Sequence, residues 1–114
     1  MSKAAYWQRG DTLDYKNETG VLIEANTILS IGSRVGVAGT NIPAGAVGSV
    51  HVLGIFEMPK SDDAEIKMGT TVYFDGTGIT TAAETAEKVS NVHAGYCAET
   101  SPKTSDVILV KLLG

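Results

Sequence analysis

The side chains able to do chemistry are few, and their spacing does not bring them together. His51 and His93 each alternate with apolar residues in a strand-like run, Val50-His51-Val52 and Val92-His93-Ala94. Neither has a cysteine, histidine or carboxylate at a spacing that would complete a metal set. Each therefore reads as a strand histidine with a satisfied hydrogen bond, not as a general base or ligand. Asp62-Asp63-x-Glu65 clusters carboxylates, but it lacks the Asp-x-Asp-x-Asp-Gly order and closing Glu of a calcium loop. These acids read as solvated charges in the first turn of a helix. Cys97 is the single cysteine, which forbids an intrachain disulfide and a cysteine-rich zinc site. Tyr96-Cys97-Ala98 reads as a strand that buries it. No catalytic residue, metal ligand or cofactor is assigned.

Phosphate chemistry finds no more support. Gly32-x-x-x-Gly36-x-x-Gly39 has the glycine density of a nucleotide loop, but no lysine follows a glycine anywhere in the chain. A loop without that lysine and the helix after it is better read as a bulged strand and turn. Glu65-Ile66-Lys67-Met68-Gly69 resembles the lysine hairpin of biotinyl and lipoyl carrier domains. Ile66 stands where biotinyl domains usually carry Met, and Pro59 with an expected helical turn precedes it, so a carrier modified on Lys67 is the lesser alternative.

Charge narrows the partners. The formal net charge is −4, and the nine basic residues are scattered. Affinity for nucleic acid comes largely from Lys and Arg set against phosphates, so an acidic chain without a basic stripe excludes nucleic acid as the expected partner. No run reaches the ~18 apolar residues of a membrane span. The first residues lack the apolar core of a signal peptide, so the expected chain is made and kept in the cytosol.

The elements that would position any site are strands. Thirteen glycines are spread along 114 residues, punctuating short runs rich in Val, Ile, Leu, Thr and Tyr. Strands are expected at Thr12–Tyr15, Val21–Leu29 and Arg34–Ala38, then along Ala46–Met58, where apolar residues on both faces predict burial on most of both sides. Asn41–Gly45 reads as a tight turn, and Pro59 ends the long strand. Ser61–Gly69 predicts one or two helical turns, with Ser61 as N-cap and Gly69 as C-cap. Val72-Tyr73-Phe74, Asp75-Gly76 and Gly78–Thr81 predict a hairpin. Ala82–Ser90 fits a capping box but lacks an apolar face, and a loop is favoured. Val92–Ala98 and Val107–Leu113 close the chain. The expected fold is all-β: a small glycine-rich barrel or sandwich over residues 10–114, with a flexible N-terminal arm at 1–9.

Tyr6-x-x-x-Gly10-Asp11-x-Leu13-Asp14-Tyr15, Val35–Ala38, Ile42–Gly45, Gly48-Ser49-Val50, Gly54–Lys60 and Gly69–Asp75, in that order and spacing, resemble a family of tailed-phage and prophage head decoration proteins, the small capsid cement proteins. Thr70 departs from the Asp that often follows the glycine there, and Phe74 from a common Trp; both keep strand character. Relatives are often labelled RecA/RadA-type phage recombinases, an activity that the missing phosphate loop, acidic balance and short chain exclude here.

The resemblance implies a non-catalytic virion protein assembled in the host cytoplasm. It would bind the capsid exterior as a homotrimer and bridge subunits of the major capsid protein. Within that expectation, Ala4, Ala5, Tyr6, Trp7, Gln8 and Arg9 are the candidate capsid-binding residues, adding as a strand to an open sheet edge with Trp7 as anchor. The competing reading is that Tyr6 and Trp7 cover the barrel's own end. Ile55, Phe56, Met58 and Pro59 are the candidate subunit interface, because a small barrel hides one face of a strand apolar on both. A receptor- or carbohydrate-binding module displayed on a virion is the alternative from another class.

Overall fold

β-branched and aromatic residues in runs too short for helices, each closed by Gly, Pro or Asn, leave the backbone one way to satisfy its N–H and C=O groups, which is to pair between runs. The computed structural model describes residues 2–113, and these form nine strands and no helix. The strands are β1 (Thr12–Lys16), β2 (Ile28–Ile31), β3 (Arg34–Ala38), β4 (Val47–His51), β5 (Leu53–Pro59), β6 (Thr71–Phe74), β7 (Ile79–Thr80), β8 (Val92–Glu99) and β9 (Val107–Leu113). Two antiparallel sheets result, ordered β1-β4-β3-β2 and β5-β9-β8-β6-β7. They pack as a sandwich in which Val35 and Val37 of β3 join Met58, Val72, Cys97, Ile108 and Val110 in one core. A smaller core under the first sheet gathers Ile23, Ala38, Ile42 and Val50. The second sheet bends toward closure where the Ser61 N–H donates to the Ile79 carbonyl at 2.8 Å.

The long apolar run is two strands. β4 belongs to the first sheet and β5 to the second, and the chain crosses between them at Val52, whose N–H donates to the Asp11 carbonyl at 3.0 Å. Gly54, at φ 121°, takes the backbone turn that the crossing requires. Burial on both faces does not occur. Val50, Val52 and Met58 are buried, whereas Leu53, Ile55 and Glu57 are exposed. The Val21–Leu29 run is likewise divided: Ile23 bridges Ile42, Asn26 turns at φ 71°, and only Ile28 onward pairs with β3.

The expected helical turns at Ser61–Gly69 are absent, because Asp62 and Ile66 have tertiary partners. Asp62 accepts from the Thr80 hydroxyl (2.8 Å), the Thr81 N–H (3.0 Å) and the Thr81 hydroxyl (3.1 Å), and Ile66 is buried and bridges Ser101. The β6–β7 hairpin forms as read, with Asp75 accepting from the Thr77 and Gly78 N–H groups. The 82–90 stretch is a loop held by a Glu84–Ser90 bridge.

Desolvation pushes the Asp62 carboxyl upward, but hydrogen bonds from Thr81 and Thr80 and the charge of Lys60 outweigh it, so its pKa lies below the usual value. A carboxylate held below its unfolded pKa adds stability that is complete above about pH 4 and is lost as pH falls through the folded value. Asp62→Asn is expected to lower the urea midpoint at pH 7 modestly, reflecting a stability loss of about 1 kcal/mol or less for so accessible a group. It should also flatten the decline of that midpoint below pH 4. A variant matching the parent at both pH values would show that the Asp62–Thr80–Thr81 clasp adds nothing.

Candidate interaction surfaces

The arm is the most exposed part of the molecule. Residues 2–10 form no strand and every one is exposed, with Tyr6 at 83% and Trp7 at 89%. Tyr6 and Trp7 therefore do not cover the end of the sandwich. Arg9 reaches Asp11 at 3.4 Å, an accessible pair of little energetic weight. The Asp11–Val52 hydrogen bond places the root of the arm beside the β4–β5 crossing.

The four β5 candidates do not share a surface. Met58 is 1% exposed, inside the core, and Phe56 is half-buried against that core, its ring 5.8 Å from that of His51. Ile55 is 58% exposed, and Pro59 is exposed as well. The register pairs Leu53 with Leu113, Ile55 with Lys111 and Pro59 with Val107. Leu53, Leu113 and Val107, all exposed, thus share an outward face with Ile55 and Pro59, interrupted by Glu57 and Lys111, while Met58 lies beneath in the core. The signal for Leu53, Val107 and Leu113 was present in the period-two alternation of both strands; the cross-strand pairing that unites them was not.

The remaining chemistry-bearing residues stay apart. His93 lies against Tyr73 at 5.5 Å between ring centres, on β8 of the second sheet, whereas His51 is on β4 of the first. Cys97 is a buried free thiol, its Sγ 3.0 Å from the Glu99 carbonyl. Lys67 is exposed in the long connection between β5 and β6, not at the tip of a hairpin. Among the described residues no group of three or more His, Cys, Asp or Glu could hold a metal ion. A shallow cavity of about 140 Å³, lined by Glu57, Glu99, Ser101, Ser105 and Val107 among others, falls short of the ~300 Å³ at which small-ligand sites begin.

An exposed aromatic arm and exposed apolar side chains on a strand-built body are the features that stand out, and among the described residues they are not joined by an assembled cluster of reactive groups. The chain belongs to the phage cement protein family, whose model matches residues 7–112. That family is structural and non-enzymatic, and its role is to stabilise the capsid, so this chain binds a capsid and is a virion component. The matched span takes in Trp7, Gln8 and Arg9 of the arm. No curated protein and no solved structure gives a significant match.

Proposed function

We propose that this protein sits on the outer surface of the shell as a trimer and bridges neighbouring major capsid protein subunits, with residues 2–9 as its contact. The observation that carries this reading is the arm itself. Burying apolar surface stabilises a fold, yet the chain's only tryptophan stands outside its own core, 89% exposed. An extended segment with alternating outward side chains can add to an open sheet edge, main-chain hydrogen bonds supplying affinity and the aromatic an anchor. Packaged DNA pushes shell subunits apart, and a ligand that binds only the closed arrangement opposes this by mass action, by about 2.7 kcal/mol at a free concentration one hundred times Kd. Three arms on one trimer multiply weak single contacts through effective concentration.

The test is co-sedimentation of the protein with expanded shells, together with electron cryomicroscopy of shells with and without it. Density above the three-fold positions is expected. Trp7→Ala should weaken a single contact by about 30-fold, the effect of losing a hot-spot aromatic, and deletion of residues 2–9 should abolish sedimentation with shells. Full binding by the deletion variant would sink the assignment of the arm.

A further inference from the structure

β5 is the longest edge strand among the described residues; its second side is met only at its end, where Lys60 bridges Ile79 of β7. The Lys60 N–H donates to the Asp106 carbonyl at 2.9 Å, in step with the β5–β9 register of Met58↔Ile108 and Phe56↔Val110. Amides alternate in direction along a strand, so those of Gly54, Phe56 and Met58 face β9, and those of Ile55 and Glu57 face the open edge. Pro59, which has no N–H to waste, occupies the next open-edge position, and beyond it Ser61 reaches β7. The free edge is therefore short and defined: two complete peptide groups, flanked outwardly by exposed Leu53 and Ile55. An uncovered edge of this kind is a template for a further strand.

We propose that the open edge of β5 receives the arm of a second copy, residues 3–8 adding as a strand, so that free copies hold one another's arms until a shell competes for them. This rests on the reading above that the arm is a strand donor, and it names what the donor meets when no capsid is present. Charge complementarity points to this occupant. The added segment carries Lys3 and no acid, with Arg9, paired to Asp11, just beyond its end, whereas the edge presents exposed Glu57, with Glu99 across the adjoining cavity. The nearby Lys60 is engaged with the Ser101 hydroxyl (3.3 Å) and the Pro102 carbonyl (2.9 Å). In an extended arm the adjacent Tyr6 and Trp7 point to opposite faces, so one of the two lies beside Leu53 and Ile55.

The arm of the same chain is a poorer occupant for a reason of register. Val52 points its N–H at Asp11, so a ladder continued from that pair along β5 would meet Gly54 and Phe56, whose amides face β9. The parity breaks at Gly54, and the chain's own arm would have to slip by one residue within two or three residues of its root. An arm arriving from another copy has no register imposed on it.

The experiment uses the full chain in two forms. Chains carrying Ala5→Cys are mixed with differently tagged chains carrying Ile55→Cys and treated with a short bismaleimide linker; Cys97 is buried and does not compete. A mixed adduct between the two tags is expected. Separately, Ile55→Pro removes one open-edge donor at a position where an edge strand accepts proline, and should weaken self-association in sedimentation velocity by about tenfold. Its shell binding should persist, because the arm is intact. No mixed adduct, or an adduct formed only within a chain carrying both cysteines, overturns the proposal. So does loss of shell binding by Ile55→Pro with self-association unchanged, which would make β5 the capsid's seat. Failure of the arm deletion to abolish shell binding bears on the capsid assignment alone.

Discussion

Gly95→Ala is expected to cost about 3–5 kcal/mol and to lower the melting temperature by on the order of 15 °C. Gly95 sits in β8, the strand between β9 and β6, opposite Val72 on one side and Leu112 on the other. The β6 register shifts between Val72 and Tyr73, so that Tyr73 faces His93 and one residue of β8 is left over. This is a bulge, and it bends the most central strand of the larger sheet. Gly95 absorbs it at φ 148°, a conformation that residues with a Cβ rarely adopt. An added Cβ would also collide with the Lys111 carbonyl oxygen and lie 3.0 Å from its carbon. Both atoms are backbone of β9, so relief requires parting the β8–β9 ladder and not turning a side chain. Gly10→Ala is the control: nothing lies within 4 Å of its added Cβ, and its φ is outside the positive region. Thermal unfolding of the two variants side by side checks the claim; a Gly95→Ala midpoint within two or three degrees of the parent would mean that the bulge yields easily.

The bulge also shows where reading along the chain stops. Strand existence was legible because period-two patterning and turn chemistry are local: Asp75-Gly76 between Val72–Phe74 and Ile79–Thr80 specifies a hairpin wherever it occurs. The resemblance to capsid cement proteins was legible for the same reason, since it rested on ordered short strings. What failed were inferences whose answer lies far away in the chain. Ser61-Asp62-Asp63 has the composition of a helix start, but Thr80 and Thr81, 18 and 19 residues later, engage the Asp62 carboxylate expected in its first turn. Ala46–Met58 reads as one strand because nothing in its pattern marks Val52 as the point where the chain leaves one sheet for the other; the mark is the Asp11 carbonyl, more than forty residues upstream. Met58 reads as surplus apolar surface until Val35 and Val37 of the first sheet join it in one core. Among the described residues the arm pairs only locally, Arg9 with Asp11, and its sequence alone left open whether Tyr6 and Trp7 cover the end of the body.

Asn17→Ala is expected to destabilise the protein by about 2–4 kcal/mol, and its consequence reaches the arm's root. Asn17 follows the last residue of β1 and is fully buried, a rare place for an amide. All of its capacity is used: the Nδ2 group donates to the Val21 carbonyl (2.6 Å) and the Ile42 carbonyl (2.8 Å), and Oδ1 accepts from the Thr19 N–H (2.9 Å) and hydroxyl (2.6 Å). Its own N–H and C=O pair with Ala46 and Gly45. One side chain thus ties the end of β1 to the Ile42–Ala46 turn that leads into β4, and the β1–β4 ladder is what anchors residue 11 and everything before it. Truncation takes one donor from each carbonyl, leaving Ile42 with the Ile23 N–H and Val21 with the Thr19 hydroxyl, and opens a void at a fully buried position. Asn17→Asp separates this account from simple packing. The introduced carboxylate keeps the Thr19 acceptor but sets a buried charge against two carbonyl oxygens, so its pKa must rise above the unfolded value of about 3.9. A group raised on folding binds its proton more tightly in the folded state, so the variant loses stability as pH climbs from about 4 towards neutrality. This is opposite to the trend contributed by Asp62. Urea unfolding at pH 4 and pH 7 therefore gives a signed result: Asn17→Asp should gain on Asn17→Ala at the lower pH, and an unchanged gap between them would show that the site is wetter, and the amide less necessary, than its four hydrogen bonds indicate.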